Sequence, residues 1–530
     1  MSRPPKEGLA WGLAGLLTLP AVLFPVYNPD LFWHLSAGRW IFEHHALPRA
    51  DFLSSTLAGR PWLDFEWLSQ LAYYGAYAAA GLWGVWLLKV ALLSAAIWSF
   101  ALLLRALEAP RAARPASVAL FSAVQISYAD ARPDLFSLIL LAWLLRRLEL
   151  GTLGPIFTLS LFAVWSSLHA GFALGLIALA LYAAAAWFSD DLALARRRGA
   201  CLAAAAAGAC LNPYGLGAYS VVWSHWREQG DLARAIKEWG PLGFDNPMYW
   251  PAWALLLLLA AACVYRLWKR PEREPSWPLL GLAAYLAVAS LQHERAVVFF
   301  ALAGAAALAL LAPASGKAHG LVLAALVVFF CWLAPAVRWR PPLNTKFVPS
   351  GTAAFASSQR EVLEPLKIFN DWGWGGYLGF ALSPWYRVSS DGRYLFHAQH
   401  VEEARAWQTA ESWDAYSRAQ GYEGAIVPNY TRFFAASRRY PDGSFRAFRR
   451  PWYLTYFQRE RWALVYWDWQ GLLFVERDKV SEDWLAAHEY RWLRPNDAEA
   501  FADAAKRGEV PLEAAADEKT RHTRELSGRP

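Results

Sequence analysis

The sequence predicts a polytopic α-helical membrane protein with a soluble α/β domain at its C-terminal end. The chain of 530 residues is 56% hydrophobic and only 18% charged, whereas ordinary soluble domains are about one quarter charged. Up to about Val337, long apolar stretches alternate with short charged loops, and the rest reads as a water-soluble protein. We therefore expect a transmembrane domain over 1–337, an external domain over 338–516 and a disordered tail over 517–530.

The transmembrane domain is predicted from runs of apolar residues. A helix needs roughly 20 mostly apolar residues to cross a bilayer, and about eleven segments approach that length. They are 8–26, 82–107, 115–128, 135–145, 155–168, 172–188, 199–211, 250–268, 277–291, 296–312 and 321–337. A shorter Tyr-rich segment, 67–81, ends at a glycine and is expected to lie at the interface, where aromatic rings are favoured.

The basic residues set the expected orientation. Arg and Lys recur in alternate loops, for example at Arg105, Arg146 and Lys317, and the positive-inside rule makes that side cytoplasmic. The N-terminus is then expected on the cytoplasmic side and the C-terminal domain on the external side. The net charge of +7 does not indicate a nucleic-acid partner, because the basic residues are spread over membrane-flanking loops and form no single stripe.

The first external loop, 27–66, is long and distinctive. Its segment 31–44 carries apolar residues at helical spacing, which predicts an amphipathic helix at the membrane surface. Asp30 lies at the start of this helix, where it can cap free backbone N–H groups. His34 follows one turn later on the same face.

The external domain alternates strand-like and helix-like segments, which predicts a small α/β sheet. The expected strands are "LKIFN", "YRVSS", "GAIVP", "WALVYW" and "GLLFVER", and the expected helices are 401–419 and 481–490. The motifs "NDWGWGG" and "SSDGR" are dense in glycine, which permits either tight turns or close approach of a ligand.

Acids, histidines and arginines are concentrated in the external loops, and the topology places them at one membrane face. They are Asp30, His34, Asp130, Arg132, Asp134, His169, Glu238 and Arg295. Such a group suits sugar transfer from a lipid phosphate, which needs a carboxylate to accept the proton of the attacking hydroxyl and cations to stabilise the departing phosphate. Asp30 is the candidate base. Arg132 and Arg295 can grip phosphate, with His34, His169 and Glu238 as further substrate-binding residues.

The loop "NPDLFWHLSAGRWIFEHHALPRADF" resembles the corresponding loop of GT-C membrane glycosyltransferases, a superfamily that includes protein O-mannosyltransferases and aminoarabinose transferases. The segments "ARPDLFS", "LHAGF", "LNPYG", "FNDWGWGGYL" and "SSDGRYLF" are similar to those of uncharacterised bacterial GT-C-like proteins with a C-terminal periplasmic domain. The loop lacks the adjacent Asp-Glu pair of O-mannosyltransferases, and the chain has no WWDYG-type motif, so transfer to asparagine is not expected.

The resemblance implies an inverting glycosyltransferase of the EC 2.4 type, with Asp30 matching the catalytic acid of the loop. It also implies a bacterial inner membrane, with the N-terminus cytoplasmic and the C-terminal domain periplasmic. It implies a polyprenyl-phosphate sugar donor and an external acceptor, which can be a glycan, a lipid or a protein. It also implies that Asp130 or Asp134 is a second acid or metal ligand, so that a divalent cation, Mg or Mn, is a possible cofactor.

Other interpretations stay open at the level of the sequence. Asp30 can be only a helix cap, and Arg132 can be only a headgroup anchor. The whole chain can be a non-catalytic assembly or scaffold protein built on a GT-C fold. A transporter is less favoured, because the predicted spans carry few ionisable residues, which coupled transporters need near the midplane.

Overall fold

A computed structural model describes residues 5–269, 276–312, 316–336, 340–441 and 443–527. The chain forms two compact units. The first consists of Met1–Asn28, Ala37–Arg49 and Leu63–Asn344, and the second of Pro29–Ser36, Ala50–Trp62 and Thr345–Pro530. These bounds differ from the predicted ones, because two segments of the first external loop belong to the same unit as the C-terminal domain.

The first unit is helical. Its helices are α1 (Pro5–Val22), α2 (Asp30–His44, which begins in the second unit), α3 (Trp67–Ala106), α4 (Ala113–Gln125), α5 (Asp134–Glu149), α6 (Pro155–Leu168), α7 (Phe172–Phe188), α8 (Leu192–Ala209), α9 (Gly217–Ala235), α10 (Trp250–Lys269), α11 (Trp277–Gln292), α12 (Val297–Leu311) and α13 (Gly316–Leu333). Within the described residues, each predicted span falls on one of these helices.

Among the described residues, four helical segments are long and apolar enough to cross a membrane, by length and composition: Trp67–Ala106, Pro247–Lys269, Glu294–Leu311 and Gly316–Leu333. Shorter apolar helices cover Glu7–Val22, Pro155–Leu168, Phe172–Phe188 and Trp277–Gln292. Helix α12 is buried along most of its length, so it forms the centre of this unit. The count of eleven spans and their orientation stay predictions.

The predicted break at Gly81 is confirmed within α3, whereas the position of 67–81 at the membrane interface stays a prediction. Its backbone is non-helical at Ala80 and at Gly81, where φ is +58°. Glycine adopts a left-handed φ without the steric penalty of a Cβ atom. The predicted helix of the first external loop is also confirmed, since α2 begins at Asp30 and ends at His44.

The second unit combines strands and helices. Its strands are β1 (Ile368–Asn370), β2 (Gly424–Pro428), β3 (Phe433–Arg439), β4 (Phe445–Pro451), β5 (Trp462–Trp467) and β6 (Gly471–Glu476). Its helices are α14 (Ser350–Ser358), α15 (Arg360–Leu363), α16 (Trp372–Ala381), α17 (His397–Ala406), α18 (Ala410–Gln420), α19 (Tyr453–Tyr456), α20 (Glu482–His488), α21 (Ala498–Lys506) and α22 (Leu512–Ser527). One sheet has the order β1-β2-β6-β5, and β3 pairs with β4 in a separate ribbon.

This architecture confirms the predicted fold class of a helical apolar region followed by an α/β region, with three local differences. The segment "YRVSS" forms no strand, because the Asn370 side chain takes up the backbone N–H of Ser389 and a single bridge joins Val388 to Ser54. The predicted helix 401–419 is two helices, since Thr409 caps the start of α18. The ribbon of β3 and β4 was not predicted.

The expected disordered tail is helical up to Ser527. Glu518 of α22 accepts hydrogen bonds from the backbone N–H groups of Arg491, Trp492 and Leu493. His522 stacks on Trp467 with ring centroids 3.7 Å apart. These contacts fix a segment whose polar composition alone predicts disorder; residues 528–530 lie outside the described range.

Candidate functional site

Three charged side chains of the first unit, Arg132, Glu238 and Arg295, form a group that we name the Arg–Glu cluster. Arg132 lies just before α5, Glu238 lies in the short helix Lys237–Trp239 and Arg295 follows α11. The distance from Arg132 Nη1 to Glu238 Oε2 is 2.9 Å, and that from Arg295 Nε to Glu238 Oε1 is 3.9 Å. One carboxylate thus faces two guanidinium groups drawn from distant parts of the sequence.

The Arg–Glu cluster keeps its charges at neutral pH. Burial alone would raise the pKa of Glu238, but Arg132 and Arg295 outweigh it and lower the pKa to about 2. Arg295 is 42% exposed, and its guanidinium lies 5.3 Å from the centre of the Trp239 ring. The long ion pair leaves most N–H groups of Arg295 available to an incoming anion.

The Asp130 side chain fixes the backbone of nearby residues through hydrogen bonds. Its carboxylate accepts hydrogen bonds from the backbone N–H groups of Tyr27 (3.1 Å), Asn28 (2.5 Å) and Ala131 (2.7 Å). The residue is fully buried, and burial raises its pKa even though these hydrogen bonds and Arg132 oppose the rise. With both oxygens engaged, Asp130 is better suited to fixing the chain after α1 than to binding a metal.

Asp134, the first residue of α5, is arranged differently. Its Oδ1 is buried and has no hydrogen-bond partner among the described residues. Arg132 and Arg295 are both close enough to act electrostatically on this carboxylate. Asp134 is therefore the acid of this unit that best fits a role toward a bound group, since buried polar atoms are usually hydrogen-bonded.

His169 is a neutral hydrogen-bond donor. Its Nδ1 accepts from the backbone N–H of Gly171 at 3.0 Å and lies 2.9 Å from Ser137 Oγ, which itself accepts from Trp165 Nε1. This network assigns the proton to Nε2, which lies 3.9 Å from Glu66 Oε1. Burial, followed by the repulsion of Arg295, lowers the pKa of His169 to about 3, so the ring does not carry charge at neutral pH.

Asp30 and His34 belong to the second unit. Gly392 packs so closely against Asp30 that an added Cβ atom would overlap the carboxylate. Gly376 packs against the turn before α2, where its Cβ position lies 2.8 Å from the carbonyl oxygen of Pro29. His34 is buried, with its ring 3.6 Å from that of Trp33. The two glycine motifs of the sequence therefore pack around the start of α2.

A buried group of three charges, the Asp–Arg–Asp triad, fixes the loop that carries Gly392. Arg393 Nη1 lies 2.6 Å from Asp51 Oδ1, and its Nε lies 2.8 Å from Asp391 Oδ1. The Arg393 and Asp51 side chains are completely buried, and the guanidinium lies 4.7 Å from the centre of the Trp62 ring. Burial would raise the pKa of Asp51, but Arg393 outweighs it and lowers the pKa.

The structure thus sorts the predicted site residues into two groups. Arg132, His169, Glu238, Arg295, Asp130 and Asp134 lie in the first unit, and Asp30 and His34 lie in the second. Sequence analysis did not predict the triad, although the charged residues of the "SSDGR" motif were a signal of it. Within the described residues, no group of three or more His, Cys, Asp or Glu side chains could hold a metal ion, so the Mg or Mn ion stays a prediction.

No protein-family model matches the chain, and no curated protein matches it in sequence. Among solved structures, the crystal structure of ArnT from Cupriavidus metallidurans bound to undecaprenyl phosphate is similar, with a TM-score of 0.48 and 12% sequence identity. The match covers 89% of this chain and 98% of that chain.

Proposed function

We propose that this protein is a membrane glycosyltransferase that takes a sugar from a polyprenyl-phosphate donor and transfers it, with inversion, to an external acceptor. The observation that carries the proposal is the Arg–Glu cluster, in which two guanidinium groups share one carboxylate and one of them is half exposed. Such an arrangement suits the dianionic phosphate that leaves during transfer.

Each residue has a distinct expected role. Arg295 and Arg132 bind the phosphate, and Glu238 orients the two guanidinium groups. His169 donates a hydrogen bond from Nε2 to the bound donor. Asp134, at the start of α5, contacts the same donor. Asp30 is the proposed base that accepts the proton of the acceptor hydroxyl. Its support comes from the resemblance of the first external loop and from the close glycine packing around the start of α2.

The test separates binding from transfer. Purified protein in nanodiscs is given radiolabelled polyprenyl-phosphate sugar together with a cell-envelope extract of glycans, lipids and proteins, which supplies the acceptor hydroxyls. Donor binding and the release of free polyprenyl phosphate are both measured. We expect Arg295→Gln to weaken binding roughly tenfold, since hydrogen bonds to charged groups contribute about 1.5–3 kcal/mol. Asp30→Asn, which keeps the shape beside Gly392, should preserve binding and abolish release.

Matched controls come from exposed charges of α9. Arg234 and Asp231 form an exposed ion pair at 3.1 Å, so Arg234→Gln and Asp231→Asn remove the same charges away from the Arg–Glu cluster. Neither should change binding or release. Full release by Asp30→Asn would remove Asp30 as the base, and donor binding by the wild-type protein without any release would favour the non-catalytic assembly protein.

A further inference from the structure

The ribbon of β3 and β4 in the second unit has two faces that differ in how their arginines are paired. Antiparallel pairing aligns Phe434 with Arg450, Ala436 with Phe448 and Arg438 with Arg446 on one face. Alternate pairs place Ala435 with Arg449, Ser437 with Ala447 and Arg439 with Phe445 on the other. Side chains alternate between the faces of a strand, so the seven-residue strands divide their arginines between the two.

The first face is packed against the domain and its arginines are neutralised. Arg438 makes a bidentate pair with Glu509 at 2.9 and 3.0 Å, and Arg446 lies 2.6 Å from Asp503. Arg450 donates to Asp497 at 3.1 Å. Phe448 is buried between them. Every arginine on this face therefore has an acidic partner, and the face is complete.

The second face is exposed and its arginines have no ion pair among the described residues. Each lies instead over an aromatic ring: Arg449 is 4.7 Å from the centre of the Phe433 ring, and Arg439 is 5.4 Å from that of Phe445. Phe445 is 68% exposed. Small residues separate the two Arg–Phe pairs, whose members on β4, Phe445 and Arg449, are four residues and hence about 13 Å apart.

We propose that this second face binds a linear acidic glycan, a polymer of sugars that carry carboxylate or phosphate groups. The guanidinium groups match planar anions in a bidentate manner, and the exposed ring edges offer apolar area to the C–H faces of sugar rings. The small residues between the two Arg–Phe pairs form a shallow strip that accepts an extended chain. The proposal does not depend on the transferase proposal, because it concerns binding alone.

A bilayer surface fits this face less well. Membrane-inserting hairpins expose apolar residues at their tip, whereas the turn between β3 and β4 reads "YPDGS" and contains an acid. An acidic glycan also matches the predicted external position of the domain. The membrane is therefore treated as a competing outcome of the test.

The test uses the full-length protein in phosphatidylcholine nanodiscs and measures binding of fluorescent polygalacturonate, an acidic glycan. Three other ligands are compared with it. Dextran is an uncharged glycan, polyglutamate is an acidic polymer without sugars, and phosphatidylglycerol vesicles are an anionic membrane surface. We expect polygalacturonate to bind more tightly than the other three. The double variant Arg439→Gln with Arg449→Gln should weaken that binding at least tenfold, and added salt should weaken it for the wild-type protein.

The matched control is Arg438→Gln with Arg446→Gln, which removes the same two charges from the neutralised face. Its binding should stay within about twofold of the wild type, since net charge alone has a modest effect at this range. Equal losses in both double variants would overturn the proposal. So would equal affinity for polyglutamate, or tighter binding of the vesicles. A thermal melt of each variant shows that the compared proteins are folded.

Discussion

The Arg–Glu cluster of the first unit and the Asp–Arg–Asp triad of the second are built from the same chemical groups and differ in completeness. In the triad, Arg393 and Asp51 are fully buried and the ion-pair distances are 2.6 and 2.8 Å. In the Arg–Glu cluster, Arg295 is 42% exposed and lies 3.9 Å from its carboxylate. The triad has one cation for two acids, and the Arg–Glu cluster has two cations for one.

This difference separates a structural role from a functional one. A completely buried charge that pairs with buried acids is closed off from a ligand, and its removal leaves those acids without a cation. A half-exposed guanidinium with a distant partner can bind an anion with little loss of folding stability. The same contrast holds within the ribbon of β3 and β4, where one face is neutralised and the other is not. The following predictions run from the largest expected effect on stability to the smallest.

The largest effect is expected for Arg393→Leu. It leaves the carboxylates of Asp51 and Asp391 buried without a cation, which costs about 3–5 kcal/mol of unfolding free energy. Chemical denaturation followed by tryptophan fluorescence measures the loss. The control is Arg418→Leu, because Arg418 makes an exposed pair with Asp414 and its loss should change stability little. Similar stabilities for the two variants would show that the triad does not hold the loop.

An intermediate effect is expected for Gly375→Ala in α16. An added Cβ atom would overlap the carbonyl oxygen of Ser390 and lie 2.9 Å from Asp391 Cα, and overpacking of this kind costs about 1–3 kcal/mol. Gly230→Ala in α9 is the matched control, because nothing lies within 4 Å of its Cβ position. Thermal melts should show destabilisation for Gly375→Ala and none for Gly230→Ala. Two unchanged melts would mean that the loop moves freely away from α16.

The pH dependence of stability tests the charge state of the Arg–Glu cluster. The pKa of Glu238 is lowered from 4.5 to about 2, so its contribution is present above pH 4.5 and is lost as the pH falls through that range toward 2. Glu238→Gln should therefore flatten the acid limb of a plot of unfolding free energy against pH. An unaltered acid limb in this variant would show that Glu238 is not held ionised by its arginines.

The smallest effect on stability is expected for Arg295→Gln. A partly exposed ion pair at this distance contributes less than about 1 kcal/mol, so the unfolding free energy should be nearly unchanged while donor binding weakens. Denaturation and donor binding measured on the same preparation check both halves of this expectation. A large loss of stability would show that Arg295, like Arg393, has a structural role.

Much of the fold was predictable from local pattern. Apolar run length predicted the helices of the first unit, and Gly81 predicted the break in α3, because only local sterics are involved there. Short runs rich in apolar, β-branched and aromatic residues predicted β2, β5 and β6 closely. The ribbon of β3 and β4 was missed because its strands are rich in arginine and mostly exposed, so they lack the apolar runs that predicted the other strands.

The candidate site was only partly predictable. The loop positions of Arg132, Glu238 and Arg295 indicated one membrane face, and the structure brings these three together. Nothing local distinguished Asp130, whose oxygens are filled by backbone N–H groups, from Asp134, which keeps a buried oxygen without a partner. Nor did the sequence assign Asp51 to Arg393, since 342 residues separate them.

The sequence by itself determined the positions of the apolar helices, the break at Gly81 and the apolar strands β2, β5 and β6, because hydropathy, periodicity and glycine act over a few residues. The tertiary structure decided which charges meet, which are buried and which stay available. Coulomb energy and the cost of desolvation depend on distances and surroundings in space, and the neighbouring residues in the sequence specify neither. The same arginine is a structural anchor at Arg393 and a candidate phosphate ligand at Arg295 for that reason.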